Sequence, residues 1–316
     1  MYKSFFGLKE NPFNVNPDPR FLFLTQQIEE ALAGLMYGIR TRKGFITLTG
    51  EVGTGKTTLI NRLLDWLHQQ RTRTAFLFNS RMNTNQLFDF VLSEFDITCE
   101  SRTKSQQLMK LHHWLLERYR SGETAVLIVD EAQNLTYPVM EEIRLLTNLE
   151  TSTDKLLQVV LSGQPELEEK LRLPQLRQLR QRITLRCKTT PLTQEQTRDY
   201  ISERLRIAGA MGEPIFGKEA VEAVHLYSLG IPRVVNLLCE HSLVNSFVEQ
   251  KRQVTAKIVE DVAHEFQLDE MDQVTPQGNT RIDQEVYNSE TFLQNLGEAL
   301  SRFRVTPPST STRERK

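Results

Sequence analysis

Between Phe45 and Cys187 the chain alternates short aliphatic runs with stretches in which apolar residues recur every three or four positions. The runs are FITLTG (45–50), TAFLFN (74–79), AVLIVD (125–130), LLQVVLSG (156–163) and ITLRC (183–187). Nearly continuous apolar strands separated by helical crossovers predict an α/β fold, a mostly parallel five-stranded sheet with helices on both faces. After TTPLT (189–193) only helical patterns follow, from Gln194 to about Phe266, broken at AGAMGEP (208–214) and SLGIP (228–232). The expected organisation is an N-terminal segment over 1–44, an α/β core over 45–190, an all-helical subdomain over 191–266 and a polar tail over 267–316. Within the tail, SETFLQNLGEALSRF sets Phe292, Leu293, Leu296, Leu300 and Phe303 near one helical face, suited either to pack on its own domain or to dock a partner. The terminal TPPSTSTRERK is expected to be disordered.

Charge changes this picture only locally. The chain carries 39 basic and 40 acidic residues, net −1, so no global field would hold a polyanion. One stretch departs from the average: KLRLPQLRQLRQRITLRCKTT (170–190) packs Lys170, Arg172, Arg177, Arg180, Arg182, Arg186 and Lys188 together without an acidic residue. It could be a nucleic-acid track, a solvated face or a device that meets a phosphate. The three cysteines, Cys99, Cys187 and Cys239, are far apart and lack metal-ligand spacing. No run reaches 18 apolar residues and the N-terminus lacks a signal-peptide core, so a cytoplasmic protein is expected, meeting the inner membrane only through a partner.

Candidate chemistry begins at GEVGTGKT (50–57), placed between a predicted strand and the predicted helix KTTLINRLLDWL. Strand, glycine-rich turn, Lys-Thr and helix form the P-loop context, in which backbone N–H groups and a helix N-terminus cradle phosphate oxygens. Gly50, Glu51, Val52, Gly53, Thr54, Gly55, Lys56, Thr57 and Thr58 are the candidate nucleotide-binding residues. Lys56 would reach the β- and γ-phosphates, and the Thr57 hydroxyl would ligate Mg²⁺. AVLIVDEAQ delivers Asp130 and Glu131 at a strand's carboxyl end, where open α/β sheets bind ligands. Asp130 is the second metal candidate, and Glu131 the general base for an attacking water; alone, the pair could equally be a solvated loop. In VVLSGQPEL (159–167), Gln164 or Ser162 could position that water, or Gly163-Gln164-Pro165 could be an ordinary turn. Leu176, Leu179 and Ile183 share a helical seam, leaving Arg177 and Arg180 outward and Arg182 near the helix end. An arginine projected from that sheet edge could reach the γ-phosphate of an adjacent subunit, which implies an oligomer. Arg233, in the first turn of the helix after Gly230-Ile231-Pro232, opposes that helix's dipole, which bound ATP would rationalise.

Together these residues resemble the AAA+ ATPases. More narrowly, MYKSFFGLKENPFNVNPDPRFLFLT, EALAGLMYGI, GEVGTGKTT, DEAQNL, VVLSGQPEL, LRQLRQRITLRC and GIPRVVN resemble the ExeA/GspA-type group, over about residues 1–265. The resemblance implies Walker A at Gly50 to Thr58, Walker B at Asp130 and Glu131, sensor one at Gln164, an arginine finger at Arg182 and sensor two at Arg233. It also implies a segment before the first strand that helps enclose the adenine, with ATP and Mg²⁺ as ligands. Secretion-type members continue into a membrane span and a peptidoglycan-binding domain, whereas this sequence runs into a polar tail. The implied function is Mg²⁺-dependent ATP hydrolysis by a homo-oligomer that drives or regulates a secretion, pilus or exopolysaccharide export system. Two alternatives remain open: an ATP-dependent DNA-binding regulator like those of transposition, using the 170–188 stretch with Arg71 and Arg73, or a slow nucleotide-gated scaffold.

Overall fold

The computed structural model describes residues 2–14, 16, 18–78, 81–100 and 103–268. The amphipathic segment expected at 289–303 lies outside them. Five parallel strands, β1 (Phe45–Thr49), β2 (Thr72–Leu77), β3 (Thr124–Val129), β4 (Leu157–Gly163) and β5 (Ile183–Lys188), form one sheet in the order β2-β3-β4-β1-β5. Preceding the sheet are α1 (Tyr2–Phe6), a 3₁₀ turn at Pro19–Phe21 and α2 (Gln26–Arg40). The crossovers carry α3 (Lys56–His68), α4 (Thr84–Glu94), α5 (Lys104–Arg120), α6 (Tyr137–Leu146), α7 (Pro165–Arg172) and the short α8 (Arg177–Arg180). Beyond β5 only helices follow: α9 (Gln194–Ile207), α10 (Lys218–Ser228), α11 (Pro232–Val248) and α12 (Ala256–Glu265).

The apolar runs become strands because both faces of each are covered. Along β3, Ala125, Leu127 and Val129 enter the cluster formed with α4 to α7, while Val126 and Ile128 enter the cluster formed with α2 and α3. The period of two therefore serves two cores. Each fully buried side chain contributes about 1.5–3 kcal/mol. Helix starts follow local chemistry. Reciprocal capping boxes fix Asn83 to Gln86 at α4 and Thr193 to Gln196 at α9, and Pro232 opens α11.

A third cluster joins the helices after β5 to the N-terminal arm. Phe6, Leu8 and Phe13 are buried among Tyr200, Val235, Leu238 and Val259, so the arm's first residues belong with the C-terminal helices and not with the sheet. The Phe13 ring meets Phe216 edge-on at 6.0 Å. Farther along, α2 covers the sheet face at β1 and β5 through Leu35, Ile39, Ile46, Leu48 and Cys187. The arm thus grips both parts of the protein. Gly230, at φ +73°, lets the turn before α11 press against Leu192, whose N–H donates to Gly230 O at 2.8 Å. A Cβ there would lie 1.9 Å from Leu192 O.

Phe13→Ala is expected to cost about 3–5 kcal/mol. Phe78→Ala, at a ring 70% exposed, should cost less than about 1 kcal/mol. Urea-induced unfolding would compare the two, and equal midpoints would contradict the arm's structural role.

Candidate functional site

The strand order brings three separated segments to one edge. β4 lies between β1 and β3, with Thr49 opposite Gly163 and Val129 opposite Leu161. The loop after β1, Asp130 and Glu131 after β3, and Gln164 after β4 therefore emerge side by side at the strands' carboxyl ends.

Within Gly50 to Thr57, close approach dictates the glycines. At Gly50 a Cβ would fall 2.1 Å from Thr189 Oγ1, and at Gly53 (φ +79°) 2.8 Å from the Arg233 Cβ. Gly55 caps α3 at φ +94°, a conformation costly for any other residue. Thr54 Oγ1 donates to Glu51 O at 2.7 Å and shares a hydrogen bond with Thr189 Oγ1 at 2.7 Å. Lys56, only 6% exposed, folds over the loop and donates to Gly50 O at 2.7 Å and Glu51 O at 2.9 Å. Burial pulls its pKa below the usual lysine value, against the opposing attraction of Glu131, Asp130 and Glu51.

Thr57 Oγ1 donates to Asp130 Oδ2 at 3.2 Å, while Asp130 Oδ1 accepts from Ser162 Oγ at 2.8 Å and from the Glu131 N–H at 3.0 Å. A hydroxyl and a carboxylate oxygen at the loop's helix N-terminus are hard donors of the kind Mg²⁺ takes, so the residues fit that ion. Ser162 thus touches Asp130, and Gln164 touches Glu131: Gln164 Nε2 donates to Glu131 Oε2 at 3.2 Å. Gln133 Nε2 donates to the same oxygen at 2.6 Å. Glu131 itself sits at φ 52°, ψ 38° in the left-handed region.

A cleft of about 340 Å³ opens from Gly53 to Thr58 and Glu131 toward the arm and the helices after β5. Val52 and Arg233 line it, and the Arg233 N–H donates to Gly53 O at 3.2 Å, seating α11's first turn on the loop. Its far end is built by residues that the sequence reading did not single out: Phe21, Tyr200, Arg204 and Asn236. Arg204 lies over the rings of Phe21 (4.7 Å) and Tyr200 (5.3 Å) and donates to Pro12 O at 2.6 Å and Tyr200 Oη at 2.5 Å. Tyr200 Oη in turn donates to Asn236 Oδ1 at 2.9 Å. The one sequence signal was the spacing of Tyr200 and Arg204, four apart on the apolar face of a charged helix.

Arg182 lies elsewhere. Ile183 pairs with Phe45 at the amino end of β1, so Arg182 stands about 20 Å along the strands from the loop. Its guanidinium donates to Arg144 O at 3.2 Å, Thr147 Oγ1 at 3.0 Å and Asn148 Oδ1, at the carboxyl end of α6. The basic stretch is not a uniform track. Lys170 donates to the carbonyls of Gln133 and Leu135, Lys188 pairs with Glu168 at 2.9 Å, and Arg177 and Arg186 are exposed. Glu168 also accepts from Thr49 Oγ1 at 2.7 Å, which with Lys188 holds its carboxyl below the usual range. Arg71 and Arg73 flank β2, the opposite edge of the sheet, about 19 Å from β5. They do not extend the 170–188 surface, because the strand order separates them.

A parallel sheet with this order, this loop and this strand-end carboxylate pair defines a P-loop nucleotide-binding protein with a helical C-terminal region. The AAA domain family matches residues 39–171. General secretion pathway protein A of Aeromonas hydrophila is 42% identical over 266 residues, 84% of this chain and 48% of that protein. The chain thus spans about half the length of that relative. Among solved structures, Pyrobaculum aerophilum Cdc6p superposes with a TM-score of 0.59 at 17% identity, covering 83% of this chain and 70% of that one. A Drosophila ORC chain from a complex bound to DNA gives 0.58 at 21%, covering 88% and 67%. The Thermotoga maritima RuvB Holliday junction branch migration motor gives 0.51 at 16%, covering 77% and 69%. At these identities the three share the fold. The chain belongs to the AAA+ family, in its ExeA/GspA-type group. Among the described residues no helix is long and apolar enough to cross a membrane.

The lowered pKa of Lys56 has a measurable sign. The folded protein binds its proton less readily than the unfolded chain, so stability rises as pH climbs through the folded pKa toward the ordinary 10.5. Nucleotide-free wild type should therefore gain stability relative to Lys56→Met as pH rises from neutral toward 10.5. Denaturation midpoints across that range would test this, and a constant difference would refute the burial argument.

Proposed function

We propose that this protein binds ATP with Mg²⁺, hydrolyses it as an oligomer, and thereby drives or regulates assembly of a secretion, pilus or exopolysaccharide export system. The observation that carries the proposal is the convergence of Lys56, Thr57, Asp130, Glu131 and Gln164 at the carboxyl ends of three adjacent strands. The secretion setting rests on the similarity to general secretion pathway protein A.

In this reading residues 45–190 form the nucleotide-binding core, 191–266 the lid, and 1–44 the segment that helps enclose the adenine. The loop's N–H groups from Glu51 to Thr58 hold the phosphates, and Lys56 leaves the carbonyls of Gly50 and Glu51 to meet the β- and γ-phosphates. Thr57 and Asp130 hold Mg²⁺, which supplies charge neutralisation on the phosphate oxygens. Glu131 accepts the proton of the attacking water, and Gln164 orients that water. Arg233, seated on Gly53, senses the nucleotide from the lid. Arg182 acts on a neighbouring subunit's nucleotide, which its distance from the chain's own loop supports. To do so it must exchange its contacts at the end of α6 for the phosphate.

ATP turnover is the test. Glu131→Gln should reduce kcat by about 10²–10⁴-fold while ATP affinity stays within a few-fold of wild type. Unchanged turnover would remove Glu131 as the base. In mixtures of wild type with Arg182→Ala, activity should depend nonlinearly on the mixing ratio, because each variant subunit impairs its neighbour. Strictly proportional loss would place Arg182's effect within its own subunit.

A further inference from the structure

The loop that carries Glu131 is held by a side chain to which no role has been assigned. We propose that Gln133 is the positioning residue for the general base: its amide fixes the Glu131 carboxylate and ties it to the start of α7. This inference rests on the reading of Glu131 as the base for ATP hydrolysis.

Two contacts set the orientation of the amide. Gln133 Oε1 accepts the main-chain N–H of Gln164 at 3.2 Å, so the amino end must be the one directed at Glu131. Nε2 then donates to Glu131 Oε2 at 2.6 Å. An N–H bond to a carboxylate of that length is of the stronger, charge-assisted kind. The opposite orientation would place a carbonyl against a carboxylate and an NH₂ against an N–H, losing both bonds.

The surroundings are shaped for this amide. A Cβ on Gly163 would lie 2.7 Å from Gln133 Oε1, so glycine at the end of β4 keeps the space the side chain occupies. Lys170 Nζ, reaching back from α7, donates to the Gln133 carbonyl at 2.8 Å and also to the Leu135 carbonyl. Gln133 is therefore bound to the β4–α7 junction by its side chain and to the body of α7 by its main chain.

Backbone strain at Glu131 gives these contacts a purpose. A non-glycine residue at φ 52°, ψ 38° is held in the left-handed region, which is strained and persists only where the surroundings enforce it. Asp130 Oδ1 accepts the Glu131 N–H at 3.0 Å, and the Gln133 and Gln164 amides donate to the Glu131 carboxylate. With Oε2 anchored by two amides, the rotation of the carboxylate is fixed. This is the arrangement of a base oriented by a third group.

The experiment compares steady-state ATP hydrolysis and nucleotide affinity for wild type, Gln133→Ala and Gln133→Glu. Gln133→Glu fills the same volume but replaces the donor with an oxygen, so a packing role would survive it and a positioning role would not. Both variants should lose about ten- to a hundred-fold in kcat, with KM and ATP affinity within about two-fold of wild type. In a Glu131→Gln background, removing Gln133 should add no further loss, because the two act as one unit. Wild-type kcat in Gln133→Glu, a KM that rises in step with the loss of kcat, or increased turnover in either variant would each overturn the proposal. Absence of turnover in wild type would instead overturn the hydrolysis reading on which it rests, and so is distinguishable from a failure confined to the variants.

Discussion

Lys56 is the constraint around which the rest of the site is arranged. Its ammonium is buried within the glycine-rich loop and held by two carbonyls, Gly50 O and Glu51 O. Burying a cation costs free energy unless an anion or several hydrogen bonds compensate. Two neutral acceptors compensate in part, as the lowered pKa indicates. The loop is therefore poised for an anion, and the converging N–H groups at the start of α3 are suited to the same anion. The acidic groups that attract Lys56, Glu131 and Asp130, arrive on β3, which is separated from β1 by β4. That intervening strand leaves room for a phosphate between lysine and carboxylates where direct pairing would have closed the site.

The cleft beyond the glycine-rich loop is walled by the N-terminal arm and the helices after β5. The arm contributes Phe21 and α9 contributes Tyr200 and Arg204, while α11 contributes Asn236 and rests its first turn on Gly53. Arg204 is the joint: it bonds Pro12 O of the arm and Tyr200 of its own helix, and lies over Phe21. Because Phe6, Leu8 and Phe13 are buried with the helices while α2 is buried with the sheet, a rotation of the helices relative to the sheet would move the two grips of the arm relative to each other. A nucleotide in the cleft would touch all three parts. Differential contact of that kind is what allows a ligand to shift a conformational equilibrium.

Much of the architecture was legible in sequence because the strands are buried on both faces, so their apolar runs are nearly unbroken. AVLIVD ended where β3 ends, and the carboxylate pair fell at its tip. GEVGTGKT was legible because close backbone approach leaves few alternatives to glycine at Gly50 and Gly53. The arm was less legible. Phe6, Leu8 and Phe13 have no helical or strand period, and their partners lie some 190 or more positions away. The contacts of Gln133 with the Gln164 N–H and of Lys170 with the Gln133 carbonyl were not legible for a different reason, since main-chain groups carry no signature of their own. Grouping Arg71 and Arg73 with the 170–188 stretch failed because that depends on strand order, which local pattern does not encode.

The basic stretch acquires a division of labour once its contacts are known. Lys170 binds α7 to the loop after β3, and Lys188 at the end of β5 pairs with Glu168 on α7, which itself accepts from Thr49 on the strand leading into the glycine-rich loop. Their charges are used within the chain. Arg182 is different in kind, because its acceptors are one carbonyl and two neutral side-chain oxygens at the carboxyl end of α6. A cation there complements the helix dipole, a contribution of about 0.3–1 kcal/mol at an accessible site. A phosphate dianion offers a far stronger partner to the same guanidinium. The resting contacts therefore hold the arginine in an ordered position at the sheet's edge without binding it so tightly that it could not be exchanged. Lys170 connects this region to the other half of the chemistry, because α7 lies between the Gln133 contact and the segment that ends at Arg182. Movement of that segment would reach Glu131 through Gln133, giving the Arg182 edge and the loop after β3 a common mechanical link.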